Sequence, residues 1–353
     1  MNKQLPELEL RAVVLEQMAA GNFPGAVVLV GHWQDTVFLE AFGNAVTEPL
    51  AVPMQTDTIF DVASLTKPVC TAASIMILAD RGLIDIEDSA SRYIPAFSVA
   101  GKDGVKIKHL LSHTSGMPPY LDIKALGFEV GKPQPEKLFE AVCAVRPHAK
   151  PAEQPLYICL GYVVLGRIVE IVSGQGLDAF AKENIFAPLG MDDTGFNPGD
   201  DCRHRLSATE NRGGRFTPGT VHDPIASIMG GVSGNAGLFS TARDLAAFCR
   251  MLLSGGIANG MQILSGKAVT LLTMEAAFGR AYGFDVNSDS HSWIKGTGFG
   301  SKAFCHSGYT GTSIVCDPES GKFVIILTNR THPTDTGTVK PLRMRIADIA
   351  ARI

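Results

Sequence analysis

Two apolar, β-branched runs near the N-terminus, Pro24 to Gly31 and Asp35 to Gly43, flank a short polar turn, His32-Trp33-Gln34, and predict a β-hairpin. Far downstream, Phe304 to Tyr309, Thr312 to Cys316 and Lys322 to Thr328 predict three more strands. The last two are joined by Asp317-Pro318-Glu319-Ser320-Gly321, a turn with Pro and Gly in place. Such short connections make the strands antiparallel. Helical apolar spacing opens the chain, Met1 to Gly21, and closes it, Val339 to Arg352.

Between these ends the pattern changes. Ser64 to Arg81, Ile107 to Ser112, Gly161 to Val172, Leu177 to Ile185 and Thr241 to Ser254 all carry helical apolar spacing. Their connections are rich in Gly and Pro, most of all Arg212 to Gly237, which reads as irregular structure beside a cleft. The simplest architecture is α+β. Residues 1–60 and 275–353 form one lobe, an antiparallel sheet with terminal helices, and residues 61–274 form an inserted, mainly helical lobe. A cleft between lobes is a usual ligand position.

Composition narrows the function. The 353 residues are 45% hydrophobic and 19% charged with a net charge of −4, which permits a large core and excludes intrinsic disorder. With 31 Lys+Arg against 35 Asp+Glu and no basic run, nothing supplies a phosphate-neutralising patch, so a nucleic-acid partner is excluded. No apolar stretch reaches the length of a membrane span. The N-terminal stretch is charged before Arg11 and lacks the uncharged core of a signal peptide, so a cytoplasmic location is expected. Seven widely spaced cysteines without a CxxC pair read as free thiols of a reducing compartment. Small-molecule chemistry remains, and no cofactor is implied.

Three segments could carry that chemistry. In Asp61-Val-Ala-Ser64-Leu-Thr-Lys67-Pro68, a Ser and a Lys three apart share the first turn of the expected helix, so the amine can reach the hydroxyl. In Pro155-Leu-Tyr157-Ile-Cys159, a tyrosine stands just before a helix, where a phenol could act as a base. In Cys305-His306-Ser307-Gly308-Tyr309-Thr310-Gly311, a polar Ser-Gly pair near a strand end lets a ligand approach the backbone. Each alone has an ordinary structural explanation: a helix cap, a core aromatic, a bulge.

Together and in this order, the three resemble the serine β-lactamase and penicillin-binding-protein superfamily, most closely its class C-like branch of esterases, D-Ala-D-Ala peptidases and β-lactamases. Further phrases extend the resemblance over nearly the whole chain: Gly82-Leu-Ile-Asp-Ile-Glu-Asp, Ile107-Lys-His-Leu-Leu-Ser-His-Thr-Ser-Gly, Gly161-Tyr-Val-Val-Leu-Gly and Ala236-Gly-Leu-Phe-Ser-Thr-Ala. The resemblance implies the β-lactamase/transpeptidase-like fold. It makes Ser64 the acylated nucleophile, Lys67 its proton acceptor or relay, and Tyr157 the second base. His306-Ser307-Gly308 then matches the family's Lys-Thr-Gly triplet, and the backbone N–H groups of Ser64 and Tyr309 form the oxyanion hole.

Two departures bear on the substrate. The family's Tyr-x-Asn is here Tyr157-Ile158-Cys159, and a thiol is a poor hydrogen-bond partner for a substrate amide. His306 stands where a permanent cation could hold a substrate carboxylate, and His is largely neutral at pH 7. Both argue against efficient β-lactam or D-Ala-D-Ala hydrolysis while leaving ester hydrolysis intact. The expected function is therefore a serine hydrolase of carboxylesterase type, acting on a small ester or amide through an acyl-enzyme on Ser64. A D-Ala-D-Ala peptidase or weak β-lactamase is the alternative, and a non-catalytic binding or assembly protein on the same fold a third. His109 and His113, four apart, have metal-ligand spacing without an HExxH pattern, and His204 and His222 lack a third ligand, so no metal site is expected. No Gly-x-Ser-x-Gly elbow is present.

Overall fold

The computed structural model describes residues 4–210, 218–289 and 292–353. Six antiparallel strands form the main sheet, in the spatial order Val52–Pro53, Asp35–Val46, Gly25–His32, Lys322–Thr328, Ser313–Asp317 and Phe304–Ser307. The two ends of the chain meet in its middle, where Val28 stands opposite Ile326 and Leu29 opposite Ile325. Side chains alternate across a strand. Val28, Val30, Val324 and Ile326 therefore face one way and pack with Leu10 and Val14 of the helix Gln4–Ala19 and with Leu342 and Ile346 of the helix Lys340–Arg352. Val27, Leu29, Ile325 and Leu327 face the other way, into a larger core shared with Phe248 of the helix Ala242–Leu253 and Leu165 of the helix Cys159–Ser173. A register slip of one residue would exchange the two sets, and each such side chain is worth about 1.5–3 kcal/mol of burial.

The expected hairpin, the three C-terminal strands and the α+β arrangement are present. The first strand of the C-terminal group stops at Ser307, so Gly308 to Thr312 form a turn at the sheet's edge. The helix expected over Ser64 to Arg81 is divided into a 3-10 turn at Ala63–Leu65, a π-helical turn at Lys67–Ala72 and an α-helix at Ala73–Asp80. Pro68 has no N–H to give to the first turn, and wide turns of this kind occur at functional sites. The helix that begins at Ile107 ends at Leu111, and His113 lies beyond it with φ +59°. His109 and His113 therefore do not share a helical face. Among the described residues no group of three His, Cys, Asp or Glu side chains could hold a metal ion.

Other elements lay hidden in loops of the sequence. Met117 to Lys150 contains the helix Pro135–Ala144, and Ser265 caps a helix at Gly266–Thr273 by accepting from the N–H of Ala268. The glycine-rich connection contains the short helix Pro224–Ile228, capped by Asp223. Residues 211–217 of that connection, and the first three residues of the expected N-terminal helix, lie outside the described residues. None of the seven cysteines is in a disulfide. No single helix among the described residues is long and apolar enough to cross a membrane.

Candidate active site

Ser64 is placed by a short strand and a strained turn. Phe60–Asp61 pairs with Leu238–Ser240, and the buried Asp61 carboxylate then accepts from the N–H of Ala63 at 2.8 Å and of His222 at 2.7 Å. Ala63 has φ +48°, a left-handed conformation that side chains adopt reluctantly. The chain thereby turns sharply and presents Ser64, half-buried, at the start of the helical segment. Thr66 fixes the turn from inside, donating to the carbonyl of Ala63 at 2.6 Å and accepting from the N–H of Leu238 at 3.1 Å. Burial raises the pKa of Asp61.

One helical step on, Lys67 is fully buried, and its Nζ bonds Ser64 Oγ at 2.8 Å and the carbonyl of Asn235 at 2.9 Å. Asn235 is itself locked, accepting from Ser233 Oγ at 2.8 Å and donating to Asp223 at 3.1 Å. Gly234, its neighbour, lies where any Cβ would strike the carbonyl oxygen of Tyr162. The glycine-rich connection thus has a packing reason: it brings backbone carbonyls against Lys67 and, through Thr71, against the same helical turn at 2.8 Å.

Tyr157 faces the same cavity as Ser64. Its ring stacks on His113, centroids 4.4 Å apart, and lies 5.0 Å from Lys67 Nζ, 5.6 Å from the Arg280 guanidinium carbon and 6.1 Å from the ring of His306. His113 is held in turn by the N–H of Ile158, which donates to its Nδ1 at 3.0 Å. Burial, and then the nearby Cys159, push the Tyr157 phenol well above its ordinary pKa, so it is protonated at neutral pH. Cys159 is buried and bonded to the Tyr120 hydroxyl at 3.3 Å, and burial raises its thiol too. These are the marks of an inert thiol.

The turn after His306 completes the site. Gly308 N–H donates to Thr312 O at 2.7 Å, and a Cβ on Gly308 would strike Thr312 Oγ1 and the carbonyl oxygen of Val62. Thr310 Oγ1 donates to Asp61 O at 2.7 Å and Thr312 Oγ1 to Val62 O at 3.0 Å. The turn is therefore stitched to the very segment that delivers Ser64. Tyr309 extends into solvent, its hydroxyl bonded to Asp335 at 2.6 Å and its ring stacked on His222 at 5.6 Å.

Ser64, Tyr157, Ser307, Gly308 and Tyr309 line one open cavity of about 420 Å³. Lys67, Cys159 and His306 are buried behind it, with His306 2% exposed. Of the candidates, then, five meet at the cavity and three support it. Arg330, Lys340 and Arg343 also line its wall. Arg330 is paired with Asp335 at 2.6 Å, and Arg343 donates to the carbonyls of Gly308 and Thr312. The sequence carried a signal for Arg343, a charged residue set between Leu342 and Ile346 on the buried stripe of that helix. Asn235, His113 and Arg280 carried none, because long loops bring them in.

Comparison with known proteins bears on the family and the fold. The family model described as Beta-lactamase matches residues 10–349, and the chain belongs to that family. A protein of Escherichia coli O157:H7, provisionally named a D-alanyl-D-alanine carboxypeptidase, is 30% identical over 352 residues, spanning 90% of this chain and 81% of that protein. Among solved structures, EstCE1, described as a hydrolase with promiscuous acyltransferase activity, shares the fold with TM-score 0.77 at 24% identity, covering 98% of this chain and 99% of that one. A class C β-lactamase solved with cefoxitin gives TM-score 0.79 at 16% identity, covering 100% of both chains. The protein is a β-lactamase-family serine hydrolase with the β-lactamase/transpeptidase-like fold.

Proposed function

We propose that the protein is a carboxylesterase-like hydrolase that works through an acyl-enzyme on Ser64. The observation that carries this reading is the 2.8 Å bond between Lys67 Nζ and Ser64 Oγ, with Tyr157 lining the same cavity as Ser64. Ser64 Oγ attacks the ester carbonyl and its proton passes to Lys67. The carbonyl oxygen, now an anion, lies between the N–H groups of Ser64 and Tyr309. Neither amide donates a backbone hydrogen bond among the described residues, so both are open to a ligand. Tyr157, protonated because it is buried, gives its proton to the departing alkoxide and recovers one from Lys67. Water then attacks the acyl group by the reverse proton route and frees Ser64. Esters are favoured over amides because Cys159 points its thiol at Tyr120, leaving no side-chain amide to hold a substrate N–H.

A second reading, hydrolysis of a peptide ending in a D-alanine carboxylate, is favoured by the Lys340 cation on the cavity wall. Intact-mass spectrometry separates the two. Wild type and Ser64→Ala are exposed to p-nitrophenyl acetate, to a penicillin and to an N-acylated D-Ala-D-Ala peptide. Turnover of the ester and acetylation that vanish in Ser64→Ala, with no penicillin adduct, support the esterase. A lasting penicillin adduct or release of D-alanine supports the peptidase. No adduct with any reagent would sink both and leave a binding protein on this fold.

A further inference from the structure

Gly308 and Tyr309 share a peptide bond whose carbonyl end is firmly held. Gly308 O accepts from Arg343 Nη2 at 3.1 Å, and the same nitrogen donates to Thr312 O at 2.8 Å. The next carbonyl, Tyr309 O, accepts from Nε and Nη2 of Arg330 at 2.9 and 2.6 Å. Both carbonyls beside the Tyr309 Cα are thus gripped by guanidinium groups, whose planar donors fix direction as well as distance.

Arg343 reaches this turn from the helix Lys340–Arg352 with only 6% of its surface exposed. Among the described residues no carboxylate pairs with it. Burial, and then the Arg330 cation, push its pKa down to about 9. A buried guanidinium without a counter-ion is costly, and an apolar residue would fill the helix stripe more cheaply. Its two partners are backbone carbonyls of the one turn that carries an oxyanion donor.

In a trans peptide the C=O and N–H point in opposite directions, so an anchor on Gly308 O dictates where the Tyr309 N–H points. A cation bonded to the oxygen also polarises the amide and makes that N–H a stronger donor. We propose that Arg343 is a positioning residue for the oxyanion site, aiming and polarising the Tyr309 N–H through the Gly308 carbonyl. The inference rests on the reading of Ser64 as nucleophile. It gives Arg343 a role on the backbone rather than on the substrate, since the one nitrogen serves both carbonyls.

The test compares wild type with Arg343→Gln and Arg343→Lys on p-nitrophenyl acetate, on a phenylboronic acid and by NMR of the 15N-labelled Tyr309 amide. In Arg343→Gln, kcat falls about ten- to a hundredfold with KM near wild type, part of what losing an oxyanion donor costs. Affinity for the boronic acid, which forms a tetrahedral adduct on serine, falls by a similar factor, and the Tyr309 amide resonance shifts. Arg343→Lys keeps the charge, holds the fold and recovers part of each effect. If kcat, boronate affinity and the Tyr309 resonance all stay at wild-type values in a folded Arg343→Gln, or in Arg343→Lys should the first not fold, the proposal is overturned. If wild type shows no Ser64-dependent turnover, the serine reading fails instead, and the Tyr309 resonance still decides whether Arg343 governs that amide.

Discussion

Lys67 Nζ lies 2.8 Å from Ser64 Oγ and, at 2.9 Å, donates to the carbonyl of Asn235, a residue 168 positions further along the chain. One bond is available for proton transfer and the other fixes the amine in place. Replacing Lys67 by Ala removes the group nearest the serine proton while leaving the oxyanion donors untouched. The expected result is a fall in kcat/KM for an activated ester of about 10²–10⁴, the usual range for a positioned acid or base. Retention of rapid Ser64 acetylation in Lys67→Ala, read by intact mass, would show that Lys67 does not take the serine proton.

Gly308 is fixed by space rather than by conformational freedom. A methyl group there meets Thr312 Oγ1 and the Val62 carbonyl oxygen together, and both neighbours are already committed to bonds that tie the turn to the Ser64 segment. Gly308→Ala must push the turn outward and carry the Tyr309 N–H with it. Ester turnover is expected to fall about 10²–10³-fold, the cost of one oxyanion donor, and stability by about 1–3 kcal/mol from overpacking. Turnover within threefold of wild type would show that the turn does not set the donor.

Alkaline pH should unfold the protein early. Cys70, Cys305 and Tyr162 are fully buried, and burial raises the pKa of each. In the unfolded chain they ionise near 8.5 for a thiol and about 10 for a phenol. Their folded pKa lies above the unfolded one, so the stability they contribute is whole below the unfolded value. It is lost as pH climbs past that value, by about 1.4 kcal/mol per pH unit for each group. A melting temperature that is level to about pH 8 and then falls steeply is expected in a pH series of thermal scans. A level curve to pH 11 would mean that these groups find water in the native state.

The strands and the serine motif were legible because each depends on short-range pattern. Val27 to Val30 and Val324 to Leu327 are apolar runs bounded by turns, and Lys67 stands three positions after Ser64. What stayed hidden depends on contacts across long sequence distances. Nothing local marks Asn235 as a partner of Lys67, or His113 as a platform for Tyr157, since loops bring both in. The break in the helix after Ser64 had a local cause in Pro68, yet apolar spacing reads straight through it. The surroundings of position 306 were hidden for the same reason. His306 is buried behind the cavity, and the cations on its wall, Arg330, Lys340 and Arg343, come from elsewhere in the fold.

Beneath Tyr157 lies a buried ion pair whose two halves should respond very differently to substitution. Arg280 Nη1 meets Asp285 Oδ1 at 3.1 Å, with 4% and 1% of the side chains exposed, and Ser288 donates to the same oxygen at 2.5 Å. Asp285 is also anchored to the strand that carries His306, through paired backbone bonds with Cys305 at 2.8 and 2.9 Å. Asp285→Asn removes the carboxylate that faces the Arg280 charge in a dry site, which is expected to cost about 3–5 kcal/mol in urea unfolding with an unchanged m-value. Removing both charges together, as Arg280→Met with Asp285→Leu, leaves neither half of the pair behind. That double variant is expected to recover most of the loss, because the attraction within a buried pair roughly offsets the cost of desolvating it. A double variant as unstable as the single one would mean that the pair holds the 277–287 segment by its hydrogen bonds. Tyr157 would then lose the cation 5.6 Å from its ring and the backbone that keeps it there.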